Sequence, residues 1–474
     1  MSEKIKRKRA LNVPALAGIW YTASSFLERG SAIIFTPIYT RLLSVEEYGI
    51  YSVYNGLLGI ISVFSTLQIS GGAIYRGLCE FENKDGFISS ALGLITVSGT
   101  VSFLLYLLFS DRFGFTDKLG LKITLVLFIQ AFLSGIRLLR SSQAKLSYDK
   151  RESFIESTFF SIAVPILSIL LILTIEEKGY ARIYAMLIAS AFFAAPIIFR
   201  SVKASKGRLF DKEYWRFLLR YTIPMLPHYF SMALIWQIGK IIVAKEFTSA
   251  EAGIFSLAIS IGLLPTMLTM GIQSALIPWI MRKLRDSSRS EERIYSLMLS
   301  LFSPICTIIL LFLIICPEVL RVMGGDNYFS ALNAVYPIAA SVPLVFLSNL
   351  LSSVISHYKK TYFITLGSTI SALFLLICNL LFTSKLGFSF SALIIVPTFI
   401  LLCAIYFLVL KLKYKHNQLS IKAFSMIYSF FALSVFLAFV LKTSFLARLF
   451  YFLAALMLLL PELKKLKPLL VEQT

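Results

Sequence analysis

The sequence predicts an all-α integral membrane protein with about fourteen transmembrane helices. Of its 474 residues, 57% are hydrophobic and 15% are charged, whereas soluble domains carry about a quarter charged residues. Apolar runs of about 20 residues recur along the chain, and each is long enough to cross about 30 Å of hydrocarbon as a helix. The runs are continuously apolar and do not alternate with polar residues, which indicates helices and excludes a transmembrane barrel.

The apolar runs divide the chain into spans that are joined by short links. No link is long enough for a soluble domain or for a large external loop with catalytic residues, so we do not expect an enzyme. The predicted spans cover residues 13–40, 48–70, 87–109, 121–141, 154–174, 181–200, 217–244, 253–280, 294–316, 333–356, 362–383, 387–410, 423–441 and 445–461.

The formal net charge of +21 is distributed unevenly across these links. The side that carries the N-terminus holds 33 of the 46 lysines and arginines, the other side holds 11, and Arg29 and Lys240 fall inside spans. This threefold excess is the positive-inside pattern, which predicts an inner-membrane protein with both termini in the cytoplasm. The basic links then lie near anionic lipid head groups, and nucleic acid is not an expected partner. The first apolar segment is too long for a signal peptide, so we expect it to be retained as a helix.

One tract occurs twice and predicts two related halves. LLSVEEYGIYS at 42–52 is echoed by EFTSAEAGIFS at 246–256. Six predicted spans separate the copies, so both have the same orientation in the membrane, as in transporters built from parallel repeats. The sequence therefore predicts an N-lobe (1–200, spans one to six), a C-lobe (201–410, spans seven to twelve) and an added C-terminal helix pair (411–474, spans thirteen and fourteen). The matching pairs are Ser44 and Thr248, Glu47 and Glu251, Gly49 and Gly253, and Tyr51 and Phe255.

Two segments, TRLLSVEEYGIYSVY at 40–54 and residues 358–392, carry a resemblance to a known family. The first resembles the first link, and the second the tenth-to-twelfth span region, of the Wzx-type polysaccharide flippases, which carry O-antigen and exopolysaccharide units. These flippases belong to the multidrug, oligosaccharidyl-lipid and polysaccharide exporter superfamily. The family often has Gly-Ala where this chain has Ser391-Ala392. The residues that carry the second resemblance are Lys359, Lys360, Thr361, Asn379 and Gly387.

The resemblance implies a two-lobed flippase with a central cavity that works by alternating access. Its substrate is expected to be an oligosaccharide linked by diphosphate to a polyprenyl lipid, moved from the cytoplasmic to the outer leaflet for assembly of O-antigen, capsule or exopolysaccharide. The expected partners are this lipid-linked oligosaccharide, membrane lipids and other glycan-assembly membrane proteins, with the chain acting as a monomer. By resemblance to lipid II flippases, the C-terminal pair is expected to form a groove for the polyprenyl tail.

The candidate residues for transport are charged or polar groups within spans. A sugar head loses water partners for its hydroxyls in hydrocarbon, and the diphosphate adds negative charge, so a hydrated passage with cations is required. Arg29 is the predicted receptor of the diphosphate, and Glu28 is the predicted site of a coupling H⁺ or Na⁺. The alternative for both is a structural pair with partners on other helices. No Walker sequence and no metal-ligand spacing occurs, so neither ATP as a direct fuel nor a metal cofactor is expected.

The remaining candidates each have a structural alternative. Lys240 either lines the wall of the cavity in the second lobe as a cation or extends its side chain to the outer membrane surface. Arg76 and Arg137 form an entry funnel for phosphate or act as positive-inside anchors. The polar residues line the cavity or make interhelical hydrogen bonds, and two prolines form a hinge or a static bend. The polar candidates are Gln68, Gln273, Asn349 and His357, and the hinge candidates are Pro224 and Pro227.

A multidrug or small-molecule antiporter of the same superfamily is the alternative function. A pump for cations requires acidic groups in its cavity, and Glu28 is the one clear carboxylate in the middle of a predicted span. Arg29 lies equally deep, and an added helix pair suits a lipid substrate. The sequence therefore favours a flippase.

Overall fold

The computed structural model describes residues 30–31, 33–70, 72–113, 116–146, 150–204, 208–286, 290–416 and 419–457, and these contain no strand. The α-helices are α1 (33–42), α2 (Val45–Thr66), α3 (Gly72–Glu80), α4 (Lys84–Phe113), α5 (Thr116–Leu146), α6 (Lys150–Thr174), α7 (Lys178–Ala204), α8 (Lys212–Thr222), α9 (Leu226–Glu246), α10 (Ser249–Gly262), α11 (Thr266–Asp286), α12 (Ser290–Gly324), α13 (Leu332–His357), α14 (Tyr362–Leu386), α15 (Ser389–Leu393), α16 (Ile395–Leu408), α17 (Ile421–Val440) and α18 (Phe445–Met457).

The predicted all-α membrane fold is confirmed. Within the described residues, nine helices are long and apolar enough to span a membrane, and the pair α10–α11, bent by 45°, adds a tenth span if it counts as one. Two shorter apolar helices, Thr158–Thr174 and Phe445–Met457, coincide with the fifth and fourteenth predicted spans. Most of the first predicted span lies outside the described residues.

Two predicted spans are interrupted by turns. The seventh, predicted over 217–244, is divided into α8 and α9 by a 3₁₀ turn at Ile223–Met225. Pro224 lies in this turn and Pro227 is the second residue of α9, which are positions where a missing N–H costs little. The eighth is divided at residues 263–265, between α10 and α11. The prolines thus mark changes of helix, and a hinge motion at Pro224 and Pro227 stays a prediction.

The second predicted span ends earlier than the apolar pattern indicates. Helix α2 ends at Thr66, and Leu67 and Gln68 have left-handed φ angles of 49° and 48°. The turn leads into the short helix α3, which the sequence pattern did not predict because nine residues give a weak periodic signal. Gln68 was placed within the second span, and this position is wrong, because the residue lies in the turn beyond the helix end.

The chain forms two compact units, Met1–Gln237 and Ile238–Thr474. In the first unit, α2 packs against α4, α5 and α7, α6 packs against α7, and α8 packs against α3 and α4. Asp211 caps α8 by accepting hydrogen bonds from the backbone N–H groups of Glu213 and Tyr214. The indole of Trp215 donates to the Ser90 carbonyl at 3.0 Å. The predicted lobe boundaries at 200 and 410 stay a prediction.

Helix α13 is the centre of the second unit. It is 83% buried over its most apolar window and packs against α10, α11, α12, α16 and α17. Helix α18 is tied to α12 by a two-pronged ion pair, in which both guanidinium Nη atoms of Arg448 lie 2.6 Å from the Glu318 carboxylate oxygens. Because two parallel charge-assisted hydrogen bonds fix orientation, this pair sets the position of α18 against α12.

A buried histidine holds the link between α16 and α17. His416 is fully buried, and its two ring nitrogens lie 2.6 Å from the hydroxyls of Tyr295 and Tyr358. Burial lowers the pKa of His416. The imidazole joins the start of α12, through Tyr295 and the Glu291 carboxylate 3.3 Å from Nδ1, to the end of α13 through Tyr358.

Candidate substrate-binding residues

The first copy of the repeated tract begins a helix by a complete capping box. Ser44 accepts from the backbone N–H of Glu47 at 3.1 Å, and the Glu47 carboxylate accepts from the backbone N–H of Ser44 at 2.7 Å. Two N–H groups at the helix start are thereby satisfied. The spacing of serine and glutamate in this tract is explained by helix initiation.

The tyrosines around this tract surround one arginine of α7. The Arg182 guanidinium lies 3.7 Å from the ring centre of Tyr51, 3.9 Å from that of Tyr39 and 5.4 Å from that of Tyr48. Its Nη1 is buried and has no hydrogen-bond partner among the described residues. Tyrosine faces attract a guanidinium, and the attraction grows as water is removed. The cluster of Arg182, Tyr39, Tyr48 and Tyr51, termed the arginine cage below, joins α1, α2 and α7.

The sequence analysis missed the arginine cage. Arg182 was counted only as one of the basic residues on the outer side of the membrane. The three-residue spacing of Tyr48 and Tyr51 places both rings on one helix face, and this was the available signal. The partner cation is more than 100 residues away in the chain, and no local pattern identifies it.

The second copy also begins its helix with a hydroxyl cap, without the reciprocal bond to the cap backbone. Thr248 accepts from the backbone N–H of Glu251 at 3.3 Å, and its hydroxyl contacts the Glu251 carboxylate. Phe255 is buried against Gly239, where an added Cβ would lie 2.9 Å from the ring. A side chain at Gly239 would therefore require the ring to shift.

Lys240 follows this glycine and is buried within the second unit. Its exposed fraction is 6%, and the next three residues, Ile241 to Val243, are buried as well. This burial does not favour a side chain that extends to the outer surface, and both interpretations of Lys240 stay predictions. Buried ammonium groups within a membrane protein are costly to retain and are typical of functional positions. Lys240 therefore stays a candidate.

Gln273 and Asn349 meet, although 76 residues separate them. The Asn349 amide donates to the Gln273 Oε1 at 3.4 Å, and the Gln273 amide donates to the Phe346 carbonyl at 3.5 Å. Gln273 is buried whereas Asn349 is exposed. The pair joins α11 to α13 by interhelical hydrogen bonds, and a role of Gln273 and Asn349 in lining the cavity stays a prediction. His357 is the last residue of α13, eight residues further along.

The two arginine candidates of the first unit contact aromatic rings on different neighbours. The exposed Arg76 of α3 lies over Tyr221 of α8, with its guanidinium carbon 4.8 Å from the ring centre. The guanidinium of Arg137 lies over Phe160 of α6 at 3.1 Å. These contacts suit anchoring, and a phosphate funnel made of this pair stays a prediction.

A polar cavity of about 240 Å³ lies between α4, α5 and α7 in the first unit. Its lining includes Arg140, Arg200 and Asp85. Arg140 donates to the Gln143 side chain at 2.7 Å. Arg140 lies one turn beyond Arg137 on α5, but Arg140 lines this cavity whereas the Arg137 guanidinium contacts the Phe160 ring.

Three residues of the second family-like segment form a buried polar network. Ser391 donates to the Asn379 Oδ1 at 2.6 Å, and Thr383 donates to the same oxygen at 3.0 Å. Gly387 has a φ of +89°, which an L side chain rarely adopts, and this lets α14 turn directly into α15. These residues therefore shape the turn, and Ser391 at the place of the usual glycine supplies a hydrogen bond.

Glu28 and Arg29 lie outside the described residues. The predicted roles of Arg29 at the diphosphate and of Glu28 at a coupling ion stay predictions.

The C-terminal helices form an apolar groove with α12. This groove has a volume of about 550 Å³ and is lined by α12, α17 and α18. Its walls are almost entirely apolar, with the Tyr451 hydroxyl bonded to the Ser434 carbonyl at 3.0 Å. Such a groove accepts a hydrocarbon chain and offers little to a sugar. Its lining includes Cys306, Leu310, Met426, Phe430 and Tyr451.

A family model described as polysaccharide biosynthesis protein matches residues 17–284. The chain belongs to this family. An uncharacterized membrane protein of Haemophilus influenzae (strain ATCC 51907 / DSM 11121 / KW20 / Rd) is 26% identical over 353 residues, which cover 71% of this chain and 82% of the relative. The match of the family model covers more than half of the chain and confirms the predicted family.

Two solved structures share the fold. The lipid II flippase MurJ in its inward closed conformation has a TM-score of 0.65 and 14% identity, covering 93% of this chain and 98% of that chain. An inward-facing multidrug resistance MATE family transporter of the MOP superfamily has a TM-score of 0.61 and 14% identity, covering 82% and 96%. At such identities the likeness establishes the fold, which is that of multi-pass membrane transporters.

Proposed function

We propose that this protein is a flippase for oligosaccharides linked by diphosphate to a polyprenyl lipid. It moves the sugar head from the cytoplasmic to the outer leaflet by alternating access and so supplies surface polysaccharide synthesis. The observation that carries the proposal is the match to a polysaccharide biosynthesis family on a chain whose fold is a transporter fold. A membrane transporter in such a family has a membrane-bound glycan precursor as its natural cargo.

The cargo has two parts with opposite requirements, and the chain offers groups for each. The charged head needs cations in a hydrated path. Arg29 is the proposed cation of that path, and Lys240, which is buried in this structure, is proposed to join it in another state of the alternating-access cycle. The tail needs continuous apolar surface, and the groove beside α17 and α18 supplies it. Because the tail remains in lipid, only the head has to be shielded during the crossing.

The proposed setting is the inner membrane, with both termini in the cytoplasm and the chain acting as a monomer beside other glycan-assembly proteins. No organic cofactor is part of the proposal. The energy source is proposed to be an ion gradient sensed at Glu28 or the consumption of the product in the outer leaflet. A carboxylate in a membrane span binds H⁺ or Na⁺ readily, which makes Glu28 the place for coupling.

A multidrug or small-molecule antiporter is the second candidate function. It is favoured by the fold similarity to a multidrug resistance transporter. The proposed cavity cations Arg29 and Lys240 repel cationic drugs, so charge favours the anionic glycolipid.

The test is surface glycan display in a deletion strain complemented with variants of this chain. Arg29→Ala is expected to abolish display at unchanged protein level, because the diphosphate loses its cation. The matched control is Arg41→Ala, since the Arg41 side chain is exposed and donates to the Pro37 carbonyl. Display that is normal in Arg29→Ala, or lost equally in both variants, contradicts the assigned role of Arg29.

A further inference from the structure

The polar cavity of the first unit lies at one end of three helices. Its lining comes from the first two turns of α4, the last two turns of α5 and the last two turns of α7. With both termini in the cytoplasm, as proposed above, these three helix ends lie on the cytoplasmic side of the membrane. A basic pocket between transmembrane helices on that side is a typical place for the head group of an anionic lipid.

Two arginines and one carboxylate set the charge of this cavity. Arg140 and Arg200 line it together with Asp85, so one positive charge is in excess. Arg140 is partly buried and donates to the Gln143 side chain at 2.7 Å, whereas Arg200 is exposed. Guanidinium groups bind phosphate oxygens through paired hydrogen bonds, so two of them on different helices suit one phosphodiester.

The walls of the cavity are held by hydrogen bonds that do not involve the two arginines. The Ser89 hydroxyl donates to the Ser201 carbonyl at 2.8 Å and joins α4 to the end of α7. The Asp211 backbone N–H donates to the Ser90 hydroxyl at 3.2 Å, next along α4. The cavity of about 240 Å³ is smaller than the roughly 300 Å³ from which pockets enclose a drug-sized ligand. It therefore suits a head group and not a whole lipid.

An exposed apolar face of α7 leads to this cavity. Phe192, Pro196 and Phe199 are exposed and follow four- and three-residue spacing, so they lie on one side of the helix. Arg200 follows Pro196 by four residues and lies at the end of the same side. An acyl chain that contacts this face brings the phosphate of its lipid to Arg200.

We propose that the cavity binds the head group of an anionic glycerophospholipid of the cytoplasmic leaflet. Its phosphate lies between Arg140 and Arg200, its acyl chains follow the exposed face of α7, and the Asp85 carboxylate accepts a hydrogen bond from a hydroxyl of a glycerol head group. The same carboxylate disfavours a head with more than one negative charge. The bound lipid joins α4, α5 and α7 and stabilises the first unit, whichever cargo the protein moves.

The test adds phosphatidylglycerol, phosphatidylethanolamine or inorganic phosphate to the purified full-length protein in detergent. Native mass spectrometry measures lipid binding, and thermal unfolding measures stability. Phosphatidylglycerol is expected to bind about tenfold more tightly than phosphatidylethanolamine, and to raise the unfolding midpoint by about 4 °C at saturation. Equal effects of the two lipids, or the same rise with inorganic phosphate alone, overturn the inference. Displacement of phosphatidylglycerol by a smaller amount of a polyprenyl diphosphate overturns it as well.

Charge variants locate the site. Arg140→Gln with Arg200→Gln is expected to reduce the affinity for phosphatidylglycerol about tenfold. The matched control is Arg216→Gln with Arg220→Gln, which removes two exposed arginines of α8 in the same unit and leaves the cavity lining unchanged. Equal losses in the two pairs would indicate general attraction to a basic surface and contradict the site.

A single variant guards against loss of the fold. Arg200→Gln changes an exposed position, so its unfolding midpoint without lipid should equal that of the wild type. Its affinity for phosphatidylglycerol is expected to fall about threefold. Wild-type affinity in this variant contradicts a phosphate contact at Arg200 and overturns the inference.

Discussion

The two copies of the repeated tract begin their helices alike and differ in what their aromatic residues contact. In the first unit, Tyr51 lies against the Arg182 guanidinium at 3.7 Å. In the second unit, the matching Phe255 is buried and contacts Gly239 of α9. The two copies thus place their aromatic residue against different partners, an arginine of α7 in the first unit and a glycine of α9 in the second.

In this repeat, the residues that begin the helix are similar in both copies, whereas the residues on the helix face contact different partners. Both copies keep a hydroxyl at the cap and a glutamate three residues later, because exposed N–H groups at a helix start need acceptors in either unit. The first unit uses the face to bind α7 through an arginine. In the second unit the face contacts Gly239 of α9 through the Phe255 ring.

The largest effect is expected from removing the arginine cage. Arg182→Ala should lower the free energy of unfolding of the first unit by about 2–4 kcal/mol, because three aromatic contacts to a partly buried cation are lost at once. Thermal unfolding of the purified protein in detergent measures this loss of stability. Arg41→Ala, at an exposed arginine of the same unit, should change the stability by less than about 0.5 kcal/mol. Equal effects of the two variants would mean that the cage does not hold α1, α2 and α7 together.

The glycines of the two units should respond differently to alanine. At Gly239 a Cβ lies 2.9 Å from the buried Phe255 ring, whereas at Gly179 it lies 3.1 Å from the tip of Ile50. Gly239→Ala is expected to cost about 1–3 kcal/mol by overpacking, and Gly179→Ala less than about 1 kcal/mol because a terminal methyl can move. The same unfolding assay compares them. If Gly179→Ala cost more than Gly239→Ala, the second unit would be the more loosely packed of the two around its copy of the tract.

The smallest and most similar effects are expected at the caps. Ser44→Ala and Thr248→Ala should each cost about 1 kcal/mol, since each removes the side-chain acceptor at a helix start. Hydrogen exchange of the first turns of α2 and α10 locates the loss. Faster exchange in only one of the two variants would break the equivalence of the copies.

The sequence predicted the membrane fold because long apolar runs admit few alternatives to a spanning helix. It did not predict the divisions between α8 and α9 or between α10 and α11, because hydropathy alone continues through Pro224 and Pro265. The short helix α3 was missed because nine residues are too few for a clear periodic pattern within a long apolar run. The end of α2 depends on the left-handed turn at Leu67 and Gln68, and the glycines at 71 and 72 come only after that turn.

Candidate residues were harder to predict than helices because contacts join distant parts of the chain. Polarity within a span selected Gln273 and Asn349, but only the packing of α11 on α13 brings the two amides together. Lys240 was selected by its charge, while its burial is a property of the packed structure that no local pattern reports. Arg182 was missed, since its three ring partners come from α1 and α2 and not from its own helix.

The most direct test of the central claim is a flipping assay in proteoliposomes. Vesicles with the purified protein receive a polyprenyl-diphosphate oligosaccharide with a fluorescent sugar head, and an impermeant quencher reports which leaflet holds the head. Wild-type protein should move the head across the bilayer well above the rate of protein-free vesicles, and Arg29→Ala should reduce that rate to background. Equal rates with and without protein, together with ion-driven uptake of a cationic drug, would contradict a flippase and establish an antiporter.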